Sequence, residues 1–282
     1  MSVSAKNISV ILLTYNWPEA LGLALDALTR QTLLPLEVIV ADDGSAEPTR
    51  ALVESRMADF PVPLRHVWHE DRGFRAGAAR NRGMAASRGD YLVLLDGDMV
   101  VHPQFLADHA EFAAPGCFLA GGRLRASMRE TARLLAGGRP RFDMLMDGIF
   151  DAPHDFRRYH ALRWNTLAER KARRPGRVMS CNMSFWRSDI LAVNGFDERL
   201  EGYGSEDLEL AARLRNAGVR QKQLKFTALA VHLDHKSRAP IDPDDMSMPN
   251  NRFLHETKKR KLTRCDRGID QYLDEAGAQS RV

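Results

Sequence analysis

The sequence predicts an α/β protein with a doubly wound, mostly parallel sheet. Two features carry that prediction. Short aliphatic runs alternate with helix-forming segments over the first hundred residues, and polar turns rich in Asp, Asn, Gly and Ser close most of the runs. Strands alternating with helices imply parallel pairing through crossover connections.

Ile8 to Thr14 is the first buried strand. Pro18 opens a helix, where its missing N–H leaves no bond unmade. Leu21, Leu25 and Leu28 give that helix one apolar face. Leu36 to Ala41 is a second strand, ended by Asp42-Asp43-Gly44-Ser45, and Thr49 to Met57 is helical. Leu64 to Trp68 is a third strand. Gly77 to Ser87 is a small-residue helix carrying Arg80, Asn81 and Arg82. Tyr91 to Leu95 is the fourth strand, introduced by Gly89-Asp90 and ended by Asp96-Gly97-Asp98. No internal repeat is visible.

Beyond Pro103 the pattern loosens. The stretch from Arg123 to Arg177, rich in Arg, Gly and Pro, resists assignment; helices and a mobile segment near 170–177 are expected there. Val178 to Trp186 is strand-like. Ser205 is placed to cap a helix running to Asn216, with Gly218 just beyond it. Ala228 to His232 reads as a last strand. The tail beyond Asp242 is polar and basic, and partial disorder is expected of it.

With 44% apolar residues, the 282-residue chain can bury a sizeable core. Lys and Arg outnumber Asp and Glu by 41 to 37, a net charge of +4. That mild excess does not call for a nucleic-acid partner. The basic residues are clustered at Arg170–Arg177 and at Lys258–Lys261 with Arg264 and Arg267. Each cluster can face anionic lipid or an acidic glycan, or form a solvated surface. Cys117, Cys181 and Cys265 are scattered, so neither a zinc site nor a disulfide framework is signalled. The N-terminus lacks a signal peptide's apolar core, and no apolar run approaches the roughly 20 residues of a membrane span. A cytoplasmic protein, in peripheral contact with the inner membrane face through its basic clusters, is expected.

Three groups of polar residues carry chemistry. Asp96 and Asp98 sit where a strand leaves the sheet, and in open α/β sheets ligands bind beyond the carboxyl ends of strands. Hard carboxylate oxygens there suit Mn²⁺ or Mg²⁺, and such an ion can hold a diphosphate. Read alone, the triplet is better taken as a polar turn; the rest of the chain reverses that. His232 and His235 end the last strand, with Asp234 between them. A lone His is more often structural, but a pair so placed can complete a metal site. Glu206 and Asp207 begin a helix, where acids complement the helix dipole without needing another role.

The ordered set is longer. Thr14-Tyr15-Asn16 follows the first strand, and the polar segment His69 to Gly83 precedes the Asp96-Gly97-Asp98 strand. Later come Ser180-Cys-Asn-Met-Ser184, Gly195-Phe-Asp197, Gly202-Tyr-Gly-Ser-Glu-Asp-Leu-Glu209 and Val231-His-Leu-Asp-His235. This set resembles family 2 of the glycosyltransferases, with the GT-A fold. Within that family it resembles the N-acetylgalactosaminyl-transferring half of bacterial chondroitin polymerases. The Glu-Asp block and the residues after it resemble the C-terminal part of β-1,4-galactosyltransferases. The resemblance covers residues 8 to about 240.

The resemblance implies a nucleotide-sugar-binding half over 1–105, an intimately joined acceptor-binding and catalytic half over 106–241, and a basic tail over 242–282. Asp42 or Asp43 would accept from the uracil N3–H, with Thr14, Tyr15 and Asn16 lining the same pocket and Tyr15 able to stack on the base. Arg80 would approach the diphosphate or Asp96. Asp98 would hold the metal directly, and Asp96 would lie nearer the ribose or act through water. His232 is implied as a further ligand by one likeness, and His235 by the other. Asp207 matches a general base, and Glu206 would orient donor or acceptor hydroxyls. Tyr203 stands where the family usually has Trp, and Ser205 where it has Gly. Asn182 would bond the donor sugar; Trp186 lines the sugar site or belongs to the core.

The expectation is a metal-dependent, inverting transferase, moving a hexose or N-acetylhexosamine from a UDP-sugar to a glycan or glycolipid. Cell-surface polysaccharide or lipopolysaccharide synthesis is the expected setting. A nucleotidyltransferase also uses paired carboxylates and a metal, but no Gly-rich, Lys-bearing phosphate loop is found. A binding scaffold without catalysis is the remaining alternative.

Overall fold

The computed structural model describes residues 7–142, 177–235 and 242–273. The helices and the mobile segment expected within 143–176, and most of the 170–177 basic cluster, lie outside the described residues. In chain order the elements are β1 (Ile8–Thr14), α1 (Pro18–Thr29), β2 (Glu37–Asp42), α2 (Glu47–Met57), β3 (Leu64–Trp68), α3 (Ala76–Ala86) and β4 (Tyr91–Asp96). There follow β5 (Met99–Val101), α4 (Phe105–Phe112), β6 (Cys117–Ala120), β7 (Leu124–Arg125) and α5 (Met128–Leu135). After the undescribed stretch come β8 (Asn182–Trp186), α6 (Arg187–Ala192), α7 (Glu206–Asn216), β9 (Arg220–Gln223), β10 (Ala230–His232), α8 (Pro249–Arg260) and a 3₁₀ turn at Ile269–Tyr272.

A seven-stranded sheet runs β3-β2-β1-β4-β8-β6-β9. β3, β2, β1 and β4 are mutually parallel; β8 is antiparallel to both β4 and β6, and β9 is parallel to β6. The aliphatic runs are continuous because both sheet faces are covered. Val10, Leu12, Val38, Val40, Val93 and Leu95 pack with Leu21, Leu25 and Leu28 of α1. Ile11, Ile39, Leu92 and Leu94 pack with Met84 of α3, Phe196, and Leu210 and Leu214 of α7. Helix α3 lies close enough that a Cβ on Gly83 would fall 2.9 Å from Ile11 Cγ2, which accounts for its small residues.

Strands from both sides of residue 105 share this sheet. A second sheet, β5-β10-β7, crosses the same boundary. In it β10 pairs antiparallel with β5, setting His232 opposite Met99. That pairing brings a residue far along the chain beside Asp98.

Four expectations need correction. The run from Val178 is strand only from Asn182. The last strand begins at Ala230, not Ala228. Ser205 occupies the N-cap of α7 with φ +64° and makes no side-chain cap; its hydroxyl donates to Asn251 Oδ1 instead. The described part of the tail, 242–273, holds a helix that the sequence reading did not assign. α8 buries Asn250, Asn251, Leu254 and Thr257. Thr257 Oγ1 donates to Glu209 Oε1 at 2.8 Å, and Glu209 is already paired with the fully buried Arg213 at 2.6 Å.

Candidate active site

The turns after β1 and β2 are built into one another. Asn16 takes a left-handed φ of +48°, a conformation Asn tolerates. Its N–H donates to Ser45 Oγ at 2.8 Å, and its Oδ1 accepts from the Ala46 N–H at 2.8 Å. Asp42 is wholly buried: Oδ1 accepts from the Ser45 N–H at 2.7 Å and Oδ2 lies 2.8 Å from His66 Nε2. Burial pushes its carboxyl up, but the bonds from His66 and Ser45 hold it below the usual range. With both oxygens engaged, Asp42 holds the turn, which leaves Asp43 the better placed of the two to meet a nucleotide.

Asp43 is different. Its Oδ2 accepts from the Arg75 N–H at 2.9 Å, whereas Oδ1 lies 3.2 Å from His69 Nε2 without hydrogen-bond geometry. Gly44 follows with φ +96°, and a Cβ there would fall 2.5 Å from Asp71 Cα. Asp71 Oδ2 accepts from the half-exposed Tyr15 hydroxyl at 2.9 Å. Thr14 is buried, and its carbonyl accepts from the Asp43 N–H at 3.0 Å. Asn16 and Thr14 therefore shape this corner, while Tyr15 and Asp43 can face a ligand. The sequence pattern does not single out His69, Asp71 and Arg75. Their signal is their place in the polar segment His69 to Gly83, between a strand and a helix.

At the next strand end, the Leu233 N–H donates to the Asp98 carbonyl at 2.9 Å. His232 Nε2 and His235 Nε2 each lie 3.2 Å from Asp98 Oδ2. The ligand atoms of all three residues fall within 4.8 Å of one another. Among the described residues no other such group of three occurs. Asp98 Oδ1 is buried and unpartnered. Burial would raise the Asp98 carboxyl, but the two histidines hold it well below the usual range. A hard carboxylate with two imidazoles and an unused oxygen suits a divalent ion such as Mn²⁺. His235 is the more open of the pair and stands edge-on to Trp17 at 5.7 Å.

Arg80 of α3 links two clusters. It is 3% exposed and donates from Nη2 to Asp96 Oδ1 at 2.8 Å; Nε and Nη1 are buried without partners. Burial acts to lower its pKa, yet Asp96, Glu206 and Asp207 together raise it. The guanidinium thus lies in the field of Asp96 and of the Glu206–Asp207 pair. Gly202, Gly204 and Ser205 all have positive φ and deliver Glu206 and Asp207 at the start of α7. Glu206 Oε2 accepts from the Gly204 N–H at 3.1 Å, and Asp207 Oδ1 from the Leu208 N–H at 2.8 Å. Burial, then the Glu206 charge, push the Asp207 carboxyl up to about 6; Arg80 and the Leu208 and Ser180 N–H groups oppose them. A carboxyl poised near neutral pH is suited to accepting a proton. Tyr203, 40% exposed, stands edge-on to Phe74 at 6.0 Å.

The other two residues expected at the sugar site are engaged within the fold. Asn182 is fully buried and fully engaged. Its Nδ2 donates to the Gly122 and Ala228 carbonyls at 2.8 and 3.0 Å, and its Oδ1 lies 3.0 Å from His109 Nε2. His109 reaches Ser184 Oγ at 2.8 Å, and Ser184 reaches the Tyr91 hydroxyl at 2.8 Å. Asn182 is therefore a buried tie between loops. Trp186 pairs with Tyr91 at the opposite end of β4 from Asp96. Its Nε1 donates to the Ala114 carbonyl at 2.9 Å, so it belongs to the core.

Comparison with known proteins gives this geometry a family. Residues 9–188 match the family model described as "Glycosyl transferase family 2", and residues 167–236 match "N-terminal domain of galactosyltransferase". A validoxylamine A glucosyltransferase of Streptomyces hygroscopicus subsp. limoneus is 31% identical over 234 residues, covering 75% of this chain and 48% of that protein. A chondroitin synthase of Pasteurella multocida is 29% identical over 234 residues, covering 74% of this chain and 23% of that one. The chain thus spans about half the length, or less, of these two relatives. Among solved structures, Staphylococcus aureus TarS (residues 1–349) in complex with UDP-GlcNAc superposes with a TM-score of 0.61 at 18% identity, covering 96% of this chain and 71% of that one. The mannosyltransferase PcManGT of Pyrobaculum calidifontis, in complex with GDP-Man and Mn²⁺, gives 0.59 at 20% identity, covering 98% and 74%. The fold is that of GT-A glycosyltransferases, and the chain belongs to glycosyl transferase family 2.

Proposed function

We propose that the protein is a metal-dependent, inverting glycosyltransferase that moves a hexose or N-acetylhexosamine from a UDP-sugar to a glycan or glycolipid acceptor. The observation that carries this reading is Arg80. It is bonded to Asp96, two residues from the Asp98–His232–His235 corner, and it lies in the field of Glu206 and Asp207. A metal-suited corner and a proton-accepting carboxyl therefore stand at one end of the sheet.

Tyr15 and Asp43 receive the nucleotide base, with Asp43 rather than Asp42 accepting from it. Asp98 holds the divalent ion with His232 and His235, and that ion, when bound, neutralises charge on the departing diphosphate. Asp96 lies nearer the ribose. Asp207 takes the proton of the acceptor hydroxyl as it attacks the anomeric carbon. Glu206 orients hydroxyls, and Tyr203 offers the acceptor sugar an aromatic face. UDP as carrier is favoured by the UDP-GlcNAc complex of the TarS relative, and Mn²⁺ by the metal in the PcManGT complex. A role in capsule or lipopolysaccharide assembly at the inner membrane face accords with the exposed Lys258, Lys259, Arg260 and Lys261.

A screen of UDP-sugars for UDP release, with Mn²⁺ and with EDTA, tests the proposal. Metal-dependent UDP release from one donor is expected. Pyrophosphate release would instead indicate a nucleotidyltransferase, and tight UDP binding without turnover of any donor would indicate a scaffold.

A further inference from the structure

We infer that Arg123, on the short loop between β6 and β7, is a second guanidinium of the donor site and contacts the diphosphate of the nucleotide sugar. The inference rests on the proposed function and extends it to a residue outside the recognised motifs.

The loop is clamped at both ends. The Gly121 N–H donates to the Asn182 carbonyl at 2.7 Å, and Asn182 Nδ2 donates to the Gly122 carbonyl at 2.8 Å. A Cβ on Gly121 would fall 2.3 Å from the Asn182 side chain, so loop and side chain are in tight contact. Directly after Arg123, Leu124 and Arg125 pair in parallel with Val231 and His232 of β10. Arg123 is thus held between a buried amide and the strand that delivers His232. The buried network around Asn182 gains a purpose from this: it fixes where Arg123 leaves the backbone.

The side chain then crosses Cys181. Nη1 lies 3.8 Å from Cys181 Sγ, and among the described residues this weak contact is the one hydrogen bond Arg123 makes. A guanidinium has five donors, so most of its fork stays open. The residue is exposed. The charges of Asp96 and Asp98 act on it, although neither carboxylate bonds it. Arg80 is the contrasting case: buried and already bonded to Asp96.

Charge balance says what the open fork is for. Asp96 and Asp98 place two negative charges where a diphosphate must lie, and a diphosphate adds more. A divalent ion at Asp98 offsets part of this, and Arg80 offsets Asp96. A further cation reaching the same point from the β6–β7 side completes the neutralisation. Guanidinium forks match phosphate oxygens in geometry. An arginine placed only for surface charge would gain by pairing with one of the nearby carboxylates, and this one does not.

Calorimetry with Mn²⁺ on the full chain tests the inference, using UDP and uridine as probes of wild type, Arg123→Ala and Arg123→Lys. Arg123→Ala should weaken UDP binding roughly tenfold or more, the loss of a charge-assisted hydrogen bond, and leave uridine binding and the melting temperature unchanged. Arg123→Lys should recover part of the loss, keeping the charge but not the fork. Unchanged UDP affinity in Arg123→Ala overturns the inference. So does an equal loss for UDP and uridine, which would mean a damaged pocket. A loss seen with UDP-glucuronate but not with UDP overturns the diphosphate assignment and moves Arg123 to a sugar carboxylate. Wild-type protein that binds no UDP overturns the proposed function and this inference together, whereas wild-type binding with an indifferent Arg123→Ala leaves the proposed function standing.

Discussion

Replacing Asp207 by Asn should raise stability and cut turnover together. The Asp207 carboxyl is lifted to about 6, first by burial and then by Glu206. An aspartate raised from near 4 to about 6 disfavours its own ionisation in the fold by on the order of 3 kcal/mol. The folded state favours the protonated form. The penalty is therefore absent below about pH 4, grows as pH rises to about 6, and is constant above that. Asn is neutral, nearly isosteric, and keeps an oxygen for the Leu208 N–H. Against the gain stands the lost attraction of a first-turn charge for the helix dipole, about 0.3–1 kcal/mol. The net is on the order of 2 kcal/mol in favour of Asn near neutral pH, at roughly 2–4 °C per kcal/mol in melting temperature. Melting curves should then show Asp207→Asn several degrees above wild type near pH 7 and nearly level with it near pH 4. Turnover with the true donor and acceptor should fall by about 10²-fold or more, with UDP affinity retained. In wild type the acid limb of kcat/KM should have an apparent pKa near 6, belonging to the Glu206–Asp207 pair of the free enzyme, and the variant should lose it. Asn protein that is folded and turns over near-normally would refute the assignment of the base. Equal melting shifts at both pH values would refute the electrostatic argument.

Asp98→Ala should erase the difference in UDP affinity between Mn²⁺ and EDTA, read by calorimetry; a surviving difference would place the metal elsewhere. His232→Ala should weaken that metal-dependent binding more than His235→Ala, because His232 is fixed in the β5–β10 pairing while His235 is 40% exposed; the reverse order would contradict this. Asn182→Ala should leave the buried carbonyl of Ala228 unpaired, at about 1–3 kcal/mol, and remove the partly buried bond to the Gly122 carbonyl. A lower denaturation midpoint is expected, and an unchanged one would deny Asn182 its structural role. Gly44→Ala should push Asp71 away, since the new Cβ would sit 2.5 Å from its Cα, and UDP should bind more weakly even with Mn²⁺ in excess; unaltered affinity would show that Asp71 and Tyr15 lie outside the nucleotide pocket.

The first hundred residues are legible because their physics is local. β1 and β3 fall on the residues expected, and β2, α2, α3 and β4 within a residue or two. A strand buried on both faces is an aliphatic run, and a turn needs Gly or Asp regardless of the element after it. Strand β9 escapes a reading of the sequence for the opposite reason. β9 is Arg-Gln-Lys-Gln and carries no apolar pattern. It is a strand because β6 offers it a parallel edge, from Cys117 opposite Arg220 to Ala120 opposite Gln223. The tail misleads likewise: Thr257 and Asn251 look like solvent residues until Glu209 and Ser205 are found waiting for them.

The site divides along the same line. Asp98, His232 and His235 stand out in the sequence because ligand chemistry restricts which residue types can serve, and they converge in space although no spacing dictates it. Asp42 and Asn182 are drawn in with them because a buried polar residue that serves the fold and one that serves a ligand look the same in one dimension. What separates them is how many of their bonds the protein already makes. Asp42 has both oxygens engaged and Asn182 both its amide groups. Asp43 Oδ1, Asp98 Oδ1 and two nitrogens of Arg80 are buried without partners. Buried polar groups are costly to leave unpaired, and a fold that tolerates several at one sheet end holds them ready for something that arrives. Unmade bonds at the ends of the strands are thus what gives the proposed roles of Asp43, Asp98 and Arg80 their physical support.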